Sequence, residues 1–547
     1  MSDSSSFLAV TGETRRPDWG GRRGFAGWLL AAVLLELLFL VLALASTRFQ
    51  YGRLHAERPI VEVVELLRLA SLIHGALALL VWRFRPPLSF VLGVSVAFRL
   101  TLLPSGPIQE DDFYRYIWDG KVVACGLDPY RFSPDEIRQF EDGKASPDLD
   151  MAETAALVRL GDLRRSTRSN RSIFERINNS HLATIYPLTG QGVFALAALL
   201  TADDWPIHRQ IVVMKAVITV FDFGALLILI LILRATKLPA ALALIYGWCP
   251  LVIKEFAGTG HVDAVGIFFL LLTIYFALRG RWFVVACAFT AVVLVKFYAI
   301  VLLPLVLILL ARAKRETSGF RLAQCWGAAV LSVLGVGLAS QCVYPESREV
   351  RAEVVRTFAE QWENHDAIFL WIRKLLETVA SADESIVMTR ITVGILFLLV
   401  LAYQVWRRYS ERDSDPACES RRILGSIFSV LISLLLLCPV GFPWYFLVCV
   451  PFFPFARRRC WYFLPGFLTT YYLFFWFLYR EETLKNVGTD VEYYHDIVVS
   501  WEFGLFFALW VFEGLVFHRA SGCAVASGSG LKEAENPESQ DPARSSS

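Results

Sequence analysis

The chain has 547 residues, of which 55% are hydrophobic and only 19% charged, and its formal net charge is +2. Soluble domains are about half apolar and about a quarter charged. Here the apolar excess lies in long blocks, which excludes a soluble enzyme, a disordered chain and a fibrous repeat, and so small a charge gives no reason to expect nucleic-acid binding. The pattern is that of an all-α polytopic membrane protein. Cys249, Cys287, Cys325, Cys438 and Cys449 sit inside apolar runs without metal-ligand spacing and read as small core hydrophobes.

A bilayer-crossing helix needs about 20 mostly apolar residues, fewer where neighbours bury its ends. Such runs cover 25–45, 60–82, 88–103, 185–201, 211–233, 238–253, 263–278, 282–296, 299–311, 322–343, 388–406, 423–438, 444–456, 461–479 and 498–517. They predict a bundle of about 12–14 transmembrane helices. Ala43-Leu44-Ala45 imitates a cleavage site, but the long basic leader and the many later spans favour an uncleaved anchor. Short basic connections mark the cytoplasmic side: Arg15-Arg16 with Arg22-Arg23, Arg83 and Arg85, Arg234 and Lys237, Arg279 and Arg281, 312–321, Arg407-Arg408 with Arg421-Arg422, and Arg457-Arg458-Arg459. The connections 104–184, 254–262, 296–298, 344–387, 439–444 and 480–497 then face outward. Residues 1–24 and 519–547 become cytoplasmic tails flanking a membrane domain over 25–518, and the second tail has a disordered composition. Alternation of sides fails at 185–201, which is expected to be interfacial or re-entrant. There is no fixed repeat and no pair of matching broken halves of the kind many transporters carry.

The outward insertion 104–184 opens on Glu110-Asp111-Asp112-Phe113-Tyr114-Arg115-Tyr116-Ile117-Trp118-Asp119-Gly120-Lys121. If 113–123 is helical, Tyr116 and Asp119 share a face with Asp111 or Asp112 one turn earlier. Adjacent acids repel, which raises the pKa of at least one and suits it to take a proton. The bland reading is a solvated cap with aromatics in the headgroup belt. A second cluster, Lys254-Glu255-Phe256-Ala257-Gly258-Thr259-Gly260-His261-Val262-Asp263, offers donors from Lys254 and His261 that suit a phosphate. Lys296, at a tight outer turn with Phe297-Tyr298, is placed to bind an anion or to snorkel. Trp362-Glu363-Asn364-His365 and Pro439 to Tyr445 add rings on the same side. Within the spans, Glu36, Arg99, Lys215 and Asp222 should face protein or water. Lys215 and Asp222 are two turns apart and are expected to pair with other helices, while Arg99 is placed to reach the outer site. The acid triplet could hold a divalent cation weakly; no His/Cys/Asp cluster calls for a metal, and no cofactor is expected.

At these residues the sequence resembles a known superfamily. The run 112–120 with Gly126-Leu127-Asp128-Pro129-Tyr130 is similar to the first-loop signature of integral-membrane GT-C glycosyltransferases, most of all the bacterial polyprenol-phosphate-mannose-dependent mannosyltransferases. Similar blocks follow in order: Ile185-Tyr186-Pro187 with Gln191, Lys215 with Asp222, Glu255 to Gly258 with Gly260, His261 and Asp263, Val295 to Tyr298, Trp362 with Asn364, and Pro443-Trp444-Tyr445. Together they cover roughly 90–450. The resemblance implies a GT-C-like helical bundle whose long first outer loop carries the active site. It implies a multi-pass protein of the bacterial inner membrane, and the basic connections put both termini on the cytoplasmic side. It also implies a polyprenyl-phosphate sugar donor, mannose being the expected sugar, and a glycolipid or glycan acceptor. A first-loop carboxylate acts as base, a position that Asp112 occupies here, with Asp111 the alternative.

The expected reaction is an inverting displacement in which that base deprotonates the acceptor hydroxyl. Arg115, Lys296, His261 and Lys254 would meet the leaving phosphate, and Trp118, Trp444 and Tyr445 would stack on sugar or prenyl groups. Tyr116, Asp119, Asp263, Tyr298, Trp362 and Asn364 complete the expected substrate-binding set. The rival reading, prompted by Lys215 and Asp222, is a transporter or flippase for an anionic lipid or small solute.

Overall fold

The computed structural model describes residues 21–49, 51, 55–144, 149–312, 319–484 and 489–527. Most of the expected tails, residues 1–20 and 528–547, thus lie outside the described residues. Among the described residues the fold is all helical, and the only strand-like pairing is a parallel bridge between Asn364 and Val440. Seven described helices are long and apolar enough to cross a membrane: Gly24–Phe49, Ile60–Leu80, Ile207–Ala235, Leu322–Cys342, Ala382–Ser410, Pro416–Leu437 and Thr489–Leu515. An eighth results if Ala240–Gly247 and Pro250–Thr259, bent by 60°, form one span. The chain is a multi-pass membrane protein.

That count is below the expected 12–14, and the reason is local. Leu88–Leu102, Leu188–Leu199, Asp263–Leu278, Trp282–Val293, Phe297–Arg312 and Pro443–Phe455 are apolar helices of only 10–17 residues. Proline breaks several runs, since it lacks the amide donor a helix interior needs. Pro451 and Pro454 turn 447–455 into a 3₁₀ coil, Pro250 opens the second half of the bent pair, and Pro465 cuts 461–479 into short turns. Leu188–Leu199 has 12 residues, which at about 1.5 Å each falls well short of a hydrocarbon core of about 30 Å. This helix cannot span, in keeping with the parity argument at 185–201.

The insertion 104–184 is largely helical: Phe113–Ala124, Pro134–Glu141, Met151–Ser166 and Arg168–Phe174. Two of these start on reciprocal caps, Ser133 with Glu136 and Asp150 with Glu153, which satisfy otherwise orphaned amides. Phe113–Ala124 packs on Leu188–Leu199 so closely that a Cβ at Gly120 would run into the carbonyl of Phe194. One turn earlier Tyr116 stacks on Phe194 at 4.4 Å, and Gln191 Nε2 donates to Asp119 Oδ2 at 3.2 Å.

Of the four intramembrane charges, three are held in closed contacts, while Glu36 accepts from Thr101 through Oε1 and its buried Oε2 has no hydrogen-bond partner. Arg99 Nε donates to Asp222 Oδ2 at 2.6 Å and its Nη1 to the Gly247 carbonyl at 2.8 Å, while Tyr246 donates to Asp222 Oδ1 at 2.7 Å. Lys215 Nζ donates to the carbonyls of Leu102 and Ser105 at 3.2 and 2.8 Å, closing the C-terminal end of Leu88–Leu102. Lys215 and Asp222 therefore pair with other elements, as their spacing predicts. Arg99, expected to reach the outer site, is instead held at the bend between Ala240–Gly247 and Pro250–Thr259.

Candidate active site

Segments remote in sequence enclose a single large cavity of about 1200 Å³, walled by residues from 49–58, 107–116, 178–187, 263, 295–298, 354–364, 434–445 and 471–479. The three adjacent acids enter it from the turn before Phe113–Ala124 and are not equivalent. Burial lifts Glu110 well above the usual carboxylate range, with Asp112 and Glu255 adding to the effect against the pull of Lys254. Burial and the neighbouring Asp112 push Asp111 up to about 7, opposed by Asn178 and Arg58. Asp112, with 21% of its side chain exposed, faces the cavity.

Asp112 is held by two donors. Asn178 Nδ2 donates to Asp112 Oδ1 at 2.8 Å and to Asp111 Oδ1 at 2.9 Å, so one amide spans both acids. The Tyr186 hydroxyl donates to Asp112 Oδ2 at 3.0 Å. Tyr186 is itself fixed, since Tyr130 donates to its carbonyl at 2.8 Å and its ring stands edge-on to Tyr116 at 4.8 Å. Among the described residues no group of three His, Cys, Asp or Glu side chains has metal-holding geometry.

Opposite Asp112 stands His261. Residues Lys254–Thr259 form a π-helical turn closed by Gly260 at φ +85°, and the amides of Gly260 and His261 both donate to the Glu255 carbonyl, at 3.0 and 2.9 Å. π turns often mark functional sites. This one folds Glu255 back on His261, whose Nδ1 lies 2.7 Å from Glu255 Oε2, while Lys254 donates to Oε1 at 2.8 Å. The imidazole lies flat on Trp444, with centroids 4.2 Å apart. With Nδ1 engaged by Glu255, Nε2 is directed at Asp112 Oδ2, 4.0 Å away, and has no hydrogen-bond partner. The gap is too short to admit an oxygen between them and Nε2 is itself buried, so the imidazole backs Asp112 from inside the wall.

Lys296 lies on the wall 3.1 Å from Asp263 and 4.3 Å above the ring of Tyr445. Arg115 is only 7% exposed, and its Nη2 serves the carbonyls of Asn178, Asn179 and Leu182 at 3.1–3.3 Å. It fixes the loop that carries Asn178. The backbone of Asn364 is clipped to the turn before Trp444: Asn364 N donates to the Pro439 carbonyl at 2.9 Å and Gly441 N to the Asn364 carbonyl at 2.8 Å.

Of the residues singled out from the sequence, Asp111, Asp112, Arg115, Tyr116, Asp263, Lys296, Tyr298, Trp362, Asn364, Trp444 and Tyr445 line this cavity, and His261 reaches its acid from behind Trp444. Three lie away from its wall. Trp118 is buried edge-on against Phe174 at 4.8 Å, on the far side of its helix. Asp119 is taken up by Gln191. Lys254 is fully buried against Glu255, with Nζ 3.9 Å from the centre of the Tyr472 ring. None of the three is placed to touch a substrate in the cavity. The sequence reading gave no role to Asn178, Tyr186, Glu255, Tyr471, Tyr479 or Arg58. Arg58 stands in the short polar link between the first two apolar runs, and alternation of spans puts that link on the same side as the insertion.

Comparison with protein-family models, with curated proteins and with solved structures returns no match for this chain.

Proposed function

We propose that this chain is a membrane glycosyltransferase that moves a sugar, mannose by the resemblance noted above, from a polyprenyl-phosphate donor to a hydroxyl of a glycolipid or glycan. The site would face the non-cytoplasmic side of a bacterial inner membrane. The observation that carries this reading is Asp112, backed by the buried His261 and part-exposed on the wall of a cavity large enough for a lipid-linked sugar and its acceptor.

In this reaction the acceptor hydroxyl donates to Asp112 from the cavity side, while His261 backs the same carboxylate. The hydroxyl oxygen attacks the anomeric carbon in line, its proton passes to Asp112, and the bond from the anomeric carbon to the phosphate oxygen breaks with its electron pair. The configuration inverts. General-base assistance of this kind is worth about 10²–10⁴-fold. Glu255 orients His261, and Asn178 and Tyr186 orient Asp112. Lys296, paired with Asp263, stands on the wall toward the developing phosphate charge, where removing one stabilising group typically costs about 10²–10³ in rate. Trp444 and Tyr445 present ring faces to sugar or prenyl groups. The residues named for the rival transporter reading, Lys215 and Asp222, are engaged in closed internal contacts, and no other observation favours it.

The test is transfer from lipid-linked mannose in membranes containing Asp112→Asn. Loss of product at normal protein levels supports the reading, whereas near-normal transfer rejects Asp112 as base.

A further inference from the structure

Among the described residues three arginine or lysine side chains line the cavity, and they are not neutralised alike. Lys296 has Asp263, and Arg115 is consumed by three backbone carbonyls. Arg58 has no carboxylate within ion-pair distance among the described residues. Its Nη1 donates to the Tyr479 hydroxyl at 2.8 Å, its guanidinium lies 5.3 Å from that ring's centre, and its buried Nε has no partner. The surroundings add positive charge: Arg176, also without a carboxylate among the described residues, donates to Tyr114 at 3.0 Å and lies over Tyr51 at 4.3 Å. A phenol is a weak partner for a guanidinium, whose planar fork matches phosphate or carboxylate in two parallel bonds.

The position of Arg58 relative to Lys296 follows from the aromatic wall. From Tyr445, beneath Lys296, rings succeed one another at 5.7–6.1 Å through Trp444, Tyr471 and Phe475 to Tyr479, beside Arg58. Four ring-to-ring steps separate the two cations, and Trp444, backed by His261, lies within the row. Phe474, Phe475 and Leu478 supply apolar surface next to Arg58, and Phe297, Leu434 and Leu435 supply it on the wall that holds Lys296.

We propose that Arg58 is a second anion subsite of this cavity and seats the phosphate of an anionic lipid acceptor, whose chains lie along Phe474, Phe475 and Leu478. The assignment to the acceptor rests on the transferase reading; the existence of the subsite does not. Lys296 stays with the donor, so the acid and histidine stand between two phosphate-bearing lipids. This narrows the acceptor from any glycan hydroxyl to a glycolipid that carries a negative charge near its polar head.

The test is direct binding to the purified full chain in detergent, by calorimetry, of three probes: dihexanoyl phosphatidic acid, dihexanoylglycerol and inorganic phosphate. The expected result is binding of the phosphatidic acid at least about tenfold tighter than of either other probe. Arg58→Gln should weaken it by about tenfold or more and Arg58→Lys by less, because lysine keeps the charge but loses the fork. Lys296→Gln should leave it within about twofold, and saturating polyprenyl phosphate should not displace it, since donor and acceptor sites differ. Arg58→Lys keeps the test open if Arg58→Gln does not fold. The proposal is overturned if the wild-type chain does not bind phosphatidic acid, if inorganic phosphate binds as well as the lipid, or if Arg58→Gln binds normally. Displacement by polyprenyl phosphate would give Arg58 to the donor and overturn the acceptor assignment. Arg58-dependent binding in a chain that transfers no sugar would uphold the subsite and remove the transferase reading.

Discussion

The imidazole of His261 is clamped between the carboxylate of Glu255 and the indole of Trp444, with Nδ1 2.7 Å from Glu255 Oε2 and its ring 4.2 Å from that of Trp444. Both contacts come from residues far from the acid triplet, and together they leave only Nε2 to address Asp112. An imidazole held at one nitrogen by a carboxylate has its tautomer and orientation set for work at the other.

Glu255→Gln should therefore lower kcat by about 10–100-fold, the usual effect of losing an orienting hydrogen bond to a charged group worth about 1.5–3 kcal/mol. It should also lower stability, because Lys254, 0% exposed, loses its charge partner. Breaking a buried pair from one side typically costs about 3–5 kcal/mol. Adding Lys254→Met should restore the Tm but not the rate, and this split, read by thermal unfolding and by transfer assay, separates orientation of His261 from packing.

Tyr186→Phe and Asn178→Ala each remove one donor from Asp112. Each is expected to reduce kcat by about 10–100-fold with little change in the donor KM, since neither group reaches toward the phosphate side of the cavity. Steady-state kinetics with varied lipid donor checks this; an effect confined to KM would place both residues in binding.

Asp111 gives the molecule a pH dependence of defined sign. Its carboxyl holds a proton up to about 7 in the folded chain, whereas an unfolded aspartate releases it near about 3.9. Between these values the native state binds more protons, so this contribution to stability is complete below about pH 4 and is lost as pH rises through about 7. Asp111→Asn should remove that loss: its Tm relative to wild type should rise from pH 5 to pH 8, and parallel curves would show that Asp111 does not titrate there.

Arg99 and Asp222 form a fully enclosed pair at 2.6 Å. Asp222→Asn or Arg99→Met alone should cost about 3–5 kcal/mol, read as reduced Tm and yield. The combined variant Arg99→Met with Asp222→Leu and Tyr246→Phe, which leaves only the Gly247 carbonyl short of a donor, should recover much of it. Recovery of transfer along with Tm is expected, since none of the three lines the cavity.

The sequence located the cavity better than it described the membrane helices. Carboxylates, cations and rings at the ends of apolar runs are conspicuous because each is costly in lipid, and side alternation then puts 104–184, 254–262, 296–298, 344–387 and 439–444 together. All five contribute residues to the cavity or, at His261, to its acid. No described residue of the connection 480–497 lines it; the helix before it does, through Tyr479. Span number was overcounted because composition does not register where Pro250, Pro451, Pro454 and Pro465 break an apolar run. Trp118 and Asp119 were misplaced for a different reason: on a short helix packed on both sides, side chains one turn apart need not share an environment. Asn178 depends on a loop closure with no local sequence signature, and although Glu255 and Tyr186 stand in blocks quoted for the resemblance, their contacts with His261 and Asp112 arise from a π turn and a loop closure that spacing does not show.

The two-bond clip between Asn364 and the Pro439–Gly441 backbone has a mechanical consequence. It makes the stretch bearing Trp362 and the turn bearing Trp444 one rigid panel, and a side chain at Gly441 would collide with the His365 carbonyl, so the seam has no slack. On the proposed function, a long-tailed lipid would then enter past a different border of the chamber, with this panel as its fixed jamb.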